Sequence, residues 1–294
     1  MTTSYQPDGM PESADTEPDD APHSTPSPRP RDPEEPSLLD VRDVTVRFAG
    51  LTALSEVSFA VAPGSVHAVI GPNGAGKSTC FNVLSGVYKA TSGSVHFAGA
   101  ELTALPPHRI AALGVARTFQ NIALSRHLPV LDNLMLGRHR LTRSGFVSAG
   151  LRLPSARREW SRHQARAREI AEFVGLGERL GTPVGLLPYG VQKRVELARA
   201  LCMEPRLLLL DEPVAGMNGG ERLEMARLIG AVRESLGISI LLVEHDMGMV
   251  MRVADRITVL DFGRRIADGT PEEVQSDPEV IRAYLGTSAD QEDM

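Results

Sequence analysis

Cysteine is scarce. The chain holds two, Cys80 and Cys202, far apart and in neither metal-site nor CxxC spacing, so both read as small core residues suited to a reducing cytoplasm. Long hydrophobic runs are missing as well. No segment approaches the roughly 18 consecutive apolar residues that span a bilayer, and the best runs, residues 207–210 and 238–243, are strand-sized. Any membrane role must therefore be borrowed from a partner. The start has neither the basic residues nor the apolar run of a signal peptide. There is no strongly basic domain, so nucleic acid is not expected as a partner. No internal repeat or heptad run is present.

What is there suits a globular domain. Of 294 residues, 42% are hydrophobic and 23% charged, ample for a buried core. The formal charge of −6 arises almost wholly in residues 1–36, which carry nine acids, two arginines and nine prolines with few large apolar side chains. Such a stretch buries too little surface to offset the entropy of ordering, and a disordered acidic tail is expected there.

From Leu38 onward short β-type runs appear at residues 39–48, 57–61, 66–70 and 94–97, with a first helix at 78–84. Between about 106 and 200 the pattern turns helical and basic. Arg138, Arg140, Arg143, Arg152, Arg157, Arg158, Arg162, Arg166 and Arg168 stand among few acids, and an inserted helical subdomain is expected. That basic face is open to two readings, a solvated helix surface or contact with acidic lipid headgroups. Beyond it, apolar strands at 207–210 and 238–243 alternate with helices near 192–203 and 221–236. This predicts a parallel sheet covered on both faces. Strands at 256–260 and 265–267 and helices from 271 to about 285 close the chain.

Gly71, Pro72, Asn73, Gly74, Ala75, Gly76, Lys77 and Ser78 satisfy GxxxxGK[ST] between an apolar strand and a helix that continues through Thr79. Glycines let the backbone curl its N–H groups inward, and the helix N-terminus adds positive potential. Lys77 supplies a mobile cation for the β and γ phosphates, and the Ser78 hydroxyl suits Mg²⁺. Further on, the apolar run 207–210 ends in Asp211 and Glu212. At a strand end beside a phosphate loop, the first carboxylate can hold the Mg²⁺ shell and the second can orient or deprotonate water. Alone, the same pair also reads as a helix cap or a solvated turn.

The segment Leu187, Pro188, Tyr189, Gly190, Val191, Gln192, running into KRVELARAL some 20 residues before Asp211, resembles the signature of the ABC transporter ATPases. Gln120 in RTFQN is similar to the family's Q-loop glutamine, His245 in VEHD to its switch histidine, and Phe48 to the aromatic that stacks on adenine. The resemblance covers residues 38–286. It implies an α/β P-loop core with a mostly parallel sheet, a small N-terminal antiparallel β subdomain and the inserted helical subdomain, together spanning 37–286, with a short C-terminal tail at 287–294. It also implies a dimer that sandwiches two MgATP, each between the loop of one chain and the signature of the other. Glu212 then activates water, His245 and Gln120 sense the γ-phosphate, Gln120 also reaches Mg²⁺, and Tyr189, Gly190 and Asn218 face the partner's nucleotide.

Against the common LSGGQ, Pro188, Tyr189 and Val191 are departures. The first two, Asn218 in the D-loop and the stretches ARTFQNIALSRHLPVLDNLMLGRH, LLLLDEPVAGMN and VEHDMGMVMRVADRITVLDFGRRIADGTPEEVQ resemble the larger ATPase subunit of branched-chain amino acid importers. That branch implies permease subunits, a second ATPase subunit, an extracytoplasmic binding protein and a site on the cytoplasmic face of the membrane. Permease contact is expected after Gln120, around Asn121, Ile122, Leu128, Pro129 and Val130. Urea or amide importers and lipopolysaccharide exporters use similar ATPases, and permease-free ABC ATPases or a weakly hydrolysing regulatory subunit are the remaining readings.

Overall fold

Alternating apolar residues in the first two strands build a hairpin. β1 (Leu39–Phe48) and β2 (Leu51–Val61) pair antiparallel, turned by Ala49 and Gly50. Both turn residues have positive φ (41° and 96°), the twist that a two-residue hairpin favours. A computed structural model describes residues 37–120, 122–142 and 154–289, together with Met1. The expected acidic tail, Asn121, Arg143, Arg152 and residues 290–294 lie outside the described residues.

β2 begins six residues earlier than the pattern suggests. Asp43 and Glu56, with φ of 48° and 53°, interrupt the alternation where the register shifts, so the strand does not announce itself there. β4 (Ser92–Phe97) and the two-residue β5 (Ala100–Glu101) complete a four-stranded antiparallel sheet in the order β2-β1-β4-β5.

The second sheet is parallel except at one edge. Its order is β10-β9-β3-β8-β7-β6. Here β3 is Val66–Ile70, β6 is Val115–Arg117, β7 is Leu207–Asp211, β8 is Ser239–Val243, β9 is Arg256–Asp261 and β10 is Arg264–Gly269. β6 lies within the stretch 106–200 expected to be helical. With three residues it carries no periodicity, and only pairing with β7 defines it.

Successive side chains on a strand serve opposite faces. Leu207 and Leu209 pack with Phe59, Phe81 and Phe97 between the two sheets, whereas Leu208 and Leu210 pack with helices on the far side. Those helices are α5 (Tyr189–Leu201), α6 (Gly219–Leu236) and α7 (Met247–Val253). Earlier in the chain are α1 (Lys77–Leu84), α2 (Pro107–Leu113), α3 (Val130–Arg138) and α4 (Pro154–Phe173). α8 (Pro271–Ser276) and α9 (Pro278–Ala289) end the described chain.

One of the expected basic residues is structural. Arg138 is buried, donating from Nε to His163 Nδ1 at 2.9 Å and from Nη1 to the Cys202 carbonyl at 3.1 Å and Glu204 Oε1 at 3.0 Å. It braces α3 against α4 and the end of α5. Burial pushes the Cys80 and Cys202 thiols up to about 12, leaving both as inert core residues.

Candidate active site

The phosphate loop leaves β3 where five consecutive buried residues end at Ile70. Gly71 adopts φ +149°, and a Cβ there would stand 2.0 Å from the Leu260 carbonyl oxygen on β9. No other residue fits that crossing. α1 then begins at Lys77, with Asn73, Gly74 and Ser78 exposed at the mouth. The buried Lys77 ammonium donates to the carbonyls of Gly71 at 2.6 Å and Pro72 at 2.7 Å. Burial lowers its pKa, and the nearby Glu212 carboxylate opposes that shift.

Three residues far apart in sequence meet beside this loop. Gln120 Nε2 donates to Glu212 Oε2 at 2.7 Å, and His245 Nε2 lies 2.9 Å from Glu212 Oε1. Glu212 follows β7 with φ 47°, and its N–H donates to the Val243 carbonyl at 2.9 Å. The left-handed turn costs on the order of 1 kcal/mol. It also aims Glu212 and Asp211 at different targets.

Asp211 accepts from Arg117 Nη2 at 2.7 Å through Oδ2, while Oδ1 has no partner among the described residues. Arg117 also donates to Asn82 Oδ1 and Ser85 Oγ on and after α1, and lies over the Phe81 and Phe119 rings. Sequence reasoning did not find Arg117, although it stands three residues before Gln120. An exposed Ser78 hydroxyl and one free carboxylate oxygen are hard donors. They suit Mg²⁺, which takes few protein ligands and fills its shell with water and phosphate.

The loop carrying Gln120 is gripped by α5. Lys193 Nζ donates to the Gln120 carbonyl at 2.8 Å, Glu196 Oε1 accepts from the Phe119 N–H at 3.4 Å, and Arg199 Nη1 donates to the Ala123 carbonyl at 2.5 Å. These residues lie three apart on one helix face. Lys193 and Glu196 are buried charges, and burial drives the Glu196 carboxyl up while Lys193 pulls it down. The spacing within KRVELARAL was a usable signal that went unread.

Glu244 is a further residue that the sequence reading missed. Its buried carboxylate accepts from the N–H groups of Val214 at 2.9 Å, His245 at 3.0 Å and Asp246 at 3.4 Å. It thereby ties the turn after Glu212 to the turn bearing His245. Burial pushes its pKa up, the three backbone donors pull it down, and the charge on Glu212 raises it further.

Tyr189, Gly190 and Asn218 form a separate cluster, with no hydrogen bond to residues 71–79 among the described residues. Asn218 caps α6, accepting from the Glu221 N–H at 3.0 Å while Glu221 returns a carboxylate oxygen to the Asn218 N–H. A Cβ on Gly190 would meet Glu221 Oε1 at 2.5 Å, and one on Gly216 would meet the Tyr189 ring at 3.1 Å. The signature and the D-loop are thus packed together within one chain. Val191 packs partly against the core. Phe48 is 42% exposed, with its ring edge-on to Tyr88 at 5.1 Å.

A buried strand, a glycine-rich loop, a helix N-terminus and carboxylates at the end of a neighbouring parallel strand make this a P-loop nucleoside triphosphatase. The family model described as ABC transporter matches residues 54–215. A second, described as branched-chain amino acid ATP-binding cassette transporter, matches residues 264–290. The chain is 43% identical over 249 residues to the high-affinity branched-chain amino acid transport ATP-binding protein LivG of Escherichia coli K12, covering 85% of this chain and 98% of LivG. It is 41% identical to BraF, the protein of the same description in Pseudomonas aeruginosa, with the same coverage. Among solved structures, a nucleotide-free ATP-binding cassette of an ABC transporter matches with a TM-score of 0.72 and 32% identity, covering 84% of this chain and 98% of that one. An ABC transporter cassette in its ADP conformation matches with a TM-score of 0.74 and 31% identity, covering 85% and 99%. The chain belongs to the ABC transporter family, as an ATP-binding, ATP-hydrolysing subunit.

Proposed function

We propose that this subunit powers the import of branched-chain amino acids, working as a dimer on the cytoplasmic face of the membrane beneath a permease. The observation that carries the hydrolytic part is the Glu212 carboxylate held between Gln120 and His245. The substrate class rests on the transport named for LivG and BraF and on the match at residues 264–290.

Lys77 and the backbone N–H groups of the loop bind the phosphates, and the Phe48 and Tyr88 rings offer an aromatic edge to the base. Glu212 takes a proton from the attacking water as its oxygen approaches the γ-phosphorus and the bond to ADP breaks. His245 holds the γ-phosphate and Glu212 together, and Gln120 orients the water. Ser78 and the open Oδ1 of Asp211 would hold Mg²⁺, with Gln120 within reach of it, and the ion would supply charge neutralisation on the phosphate oxygens. Arg117 keeps the other oxygen of Asp211 fixed. Tyr189, Gly190 and Asn218, clustered away from their own loop, address the nucleotide of the second subunit.

The permease fits a groove of about 360 Å³ bordered by Val87, Phe119, Leu136, Arg199 and Met203. Phe119 and Leu136 are exposed there, whereas Val130, expected in that contact, is buried core. Because α5 grips the Gln120 loop, a push in this groove reaches Gln120 directly. Isolating the tagged chain from its own membranes and identifying the co-purifying proteins tests the reading. Amino acid permease subunits with a second ATPase are expected. Urea or lipid-export permeases, or none, would overturn the substrate class.

A smaller effect is expected at the C-terminal helix. The Tyr284 hydroxyl accepts a hydrogen bond from the Gly71 N–H, while burial drives the phenol up to about 12. Tyr284→Phe removes one neutral hydrogen bond, about 1 kcal/mol. Calorimetric titration should then show ATP binding about five-fold weaker with kcat little changed. Unaltered affinity would mean that α9 does not steer the loop.

A further inference from the structure

Arg117 is anchored so that it stays in place when Asp211 acquires a second cation. β6 pairs with β7 so that Arg117 lies opposite Leu209, level with the strand end that carries Asp211. The two side chains are 10% and 8% exposed, and their ion pair is 2.7 Å long. The guanidinium does not depend on Asp211 for its position. Nη1 donates to Asn82 Oδ1 and Ser85 Oγ, both at 2.8 Å, and Cζ lies over the Phe81 and Phe119 rings, 5.7 and 5.2 Å from their centroids. Nη2 turns to the carboxylate, and the buried Nε has no hydrogen-bond partner among the described residues. A brace that served stability alone would satisfy that donor as well.

We propose that Arg117 is a positioning residue that weakens the hold of Asp211 on the nucleotide's metal ion, and so sets how readily the metal–ADP product leaves. Oδ1 and Oδ2 belong to one carboxyl group, so a cation at the open Oδ1 is a close neighbour of the guanidinium at Oδ2. Arginine cannot shed its charge, and its anchors on Asn82, Ser85 and the two rings keep it from swinging aside. Two cations then share one carboxylate. At the effective dielectric of protein sites, their repulsion over a few ångströms is worth about ten-fold or more in metal affinity. While the site holds no metal, the same guanidinium keeps Asp211 charged and ordered, since a buried carboxylate without a partner is costly. Phosphate binding by Lys77 and the loop is untouched, so product exchange is eased without loss of the nucleotide site. The inference rests on the reading of Asp211 as the metal carboxylate.

The test is the affinity of the full-length chain for ADP, by calorimetric titration, first with saturating Mn²⁺ and then in EDTA. Mn²⁺ takes the same hard oxygen donors as Mg²⁺. The ratio of the two affinities separates the metal's contribution from that of the phosphate loop. Arg117→Gln should raise this ratio about ten-fold, and Arg117→Lys, which keeps the charge, should leave it near the parental value. The double variant Asn82→Ala, Ser85→Ala frees the guanidinium to withdraw and should raise the ratio by less, which keeps the test open if the glutamine variant folds poorly. A brace that merely orders Asp211 predicts the opposite sign, because a disordered carboxylate holds the metal more weakly. A ratio unchanged or lowered in the glutamine and double variants would overturn the proposal, as would a lysine variant that gains as much as the glutamine one. A parental chain whose ADP affinity ignores Mn²⁺ would overturn the reading of the metal site itself, and this inference with it.

Discussion

Glu212→Gln is expected to bind ATP and fail to turn it over. General-base assistance is worth about 10²–10⁴-fold in rate, and the amide has no lone pair basic enough to accept the water's proton. Geometry adds to the loss, because Glu212 uses one oxygen toward Gln120 Nε2 and the other toward His245 Nε2. A glutamine can keep its oxygen toward Gln120 Nε2 only with its NH₂ group toward His245 Nε2, which must then switch to the accepting tautomer. ATP affinity should hold or rise, since Lys77 and the loop remain and a negative charge near the phosphates disappears. Single-turnover hydrolysis with a parallel nucleotide-binding titration separates the two effects. A variant that hydrolyses ATP at the parental rate would remove Glu212 from the base role.

The parts of this site that could be read in the sequence are those whose chemistry is local. Residues 71–78 spell the phosphate-loop pattern in eight contiguous positions, and Asp211 and Glu212 stand at the end of an unmistakably apolar strand. Each follows from backbone geometry within one turn. The contacts that hold these parts in register are tertiary. Arg117 and Asp211 are 94 positions apart, and the Lys193 grip on Gln120 spans 73. The contact of Tyr284 with Gly71 joins the last helix to the phosphate loop. No periodicity encodes such pairings, because each depends on which strands become neighbours.

The fold divided in the same way. The parallel core follows from apolar runs alternating with helices, whereas β6 exists only through its ladder with β7. The first six residues of β2 were hidden because Ser55 and Glu56 fall at a register shift. The signature segment was legible by resemblance, yet its own-chain environment was not. That Gly190 abuts Glu221, and that Glu221 also belongs to the cap holding Asn218, emerges only when α5 and α6 are placed together.

Glu244 is where a sequence signal existed and a large effect is expected. An acid closing the otherwise apolar run SILLV must find donors, since an unpaired buried carboxylate is costly. It finds three backbone N–H groups, one after Glu212 and two after β8, so the carboxylate sets the spacing between Glu212 and His245. Glu244→Gln leaves one oxygen. Its NH₂ group must then face either the Val214 N–H or those of His245 and Asp246. One buried donor group is thereby stranded, at a cost of about 1–3 kcal/mol. Thermal melting should drop by several degrees, since about 1 kcal/mol shifts Tm by roughly 2–4 °C in a domain of this size. A role limited to stability would end there. If Glu244 positions the catalytic pair, kcat should also fall about 10²-fold, as for roughly 1 Å misplacements of reacting groups, while ATP affinity stays within a few-fold. Glu244→Asp, which keeps both oxygens on a shorter stem, should recover part of the rate. A Gln variant that melts early yet turns over at the parental rate would show that Glu212 and His245 find each other without this link.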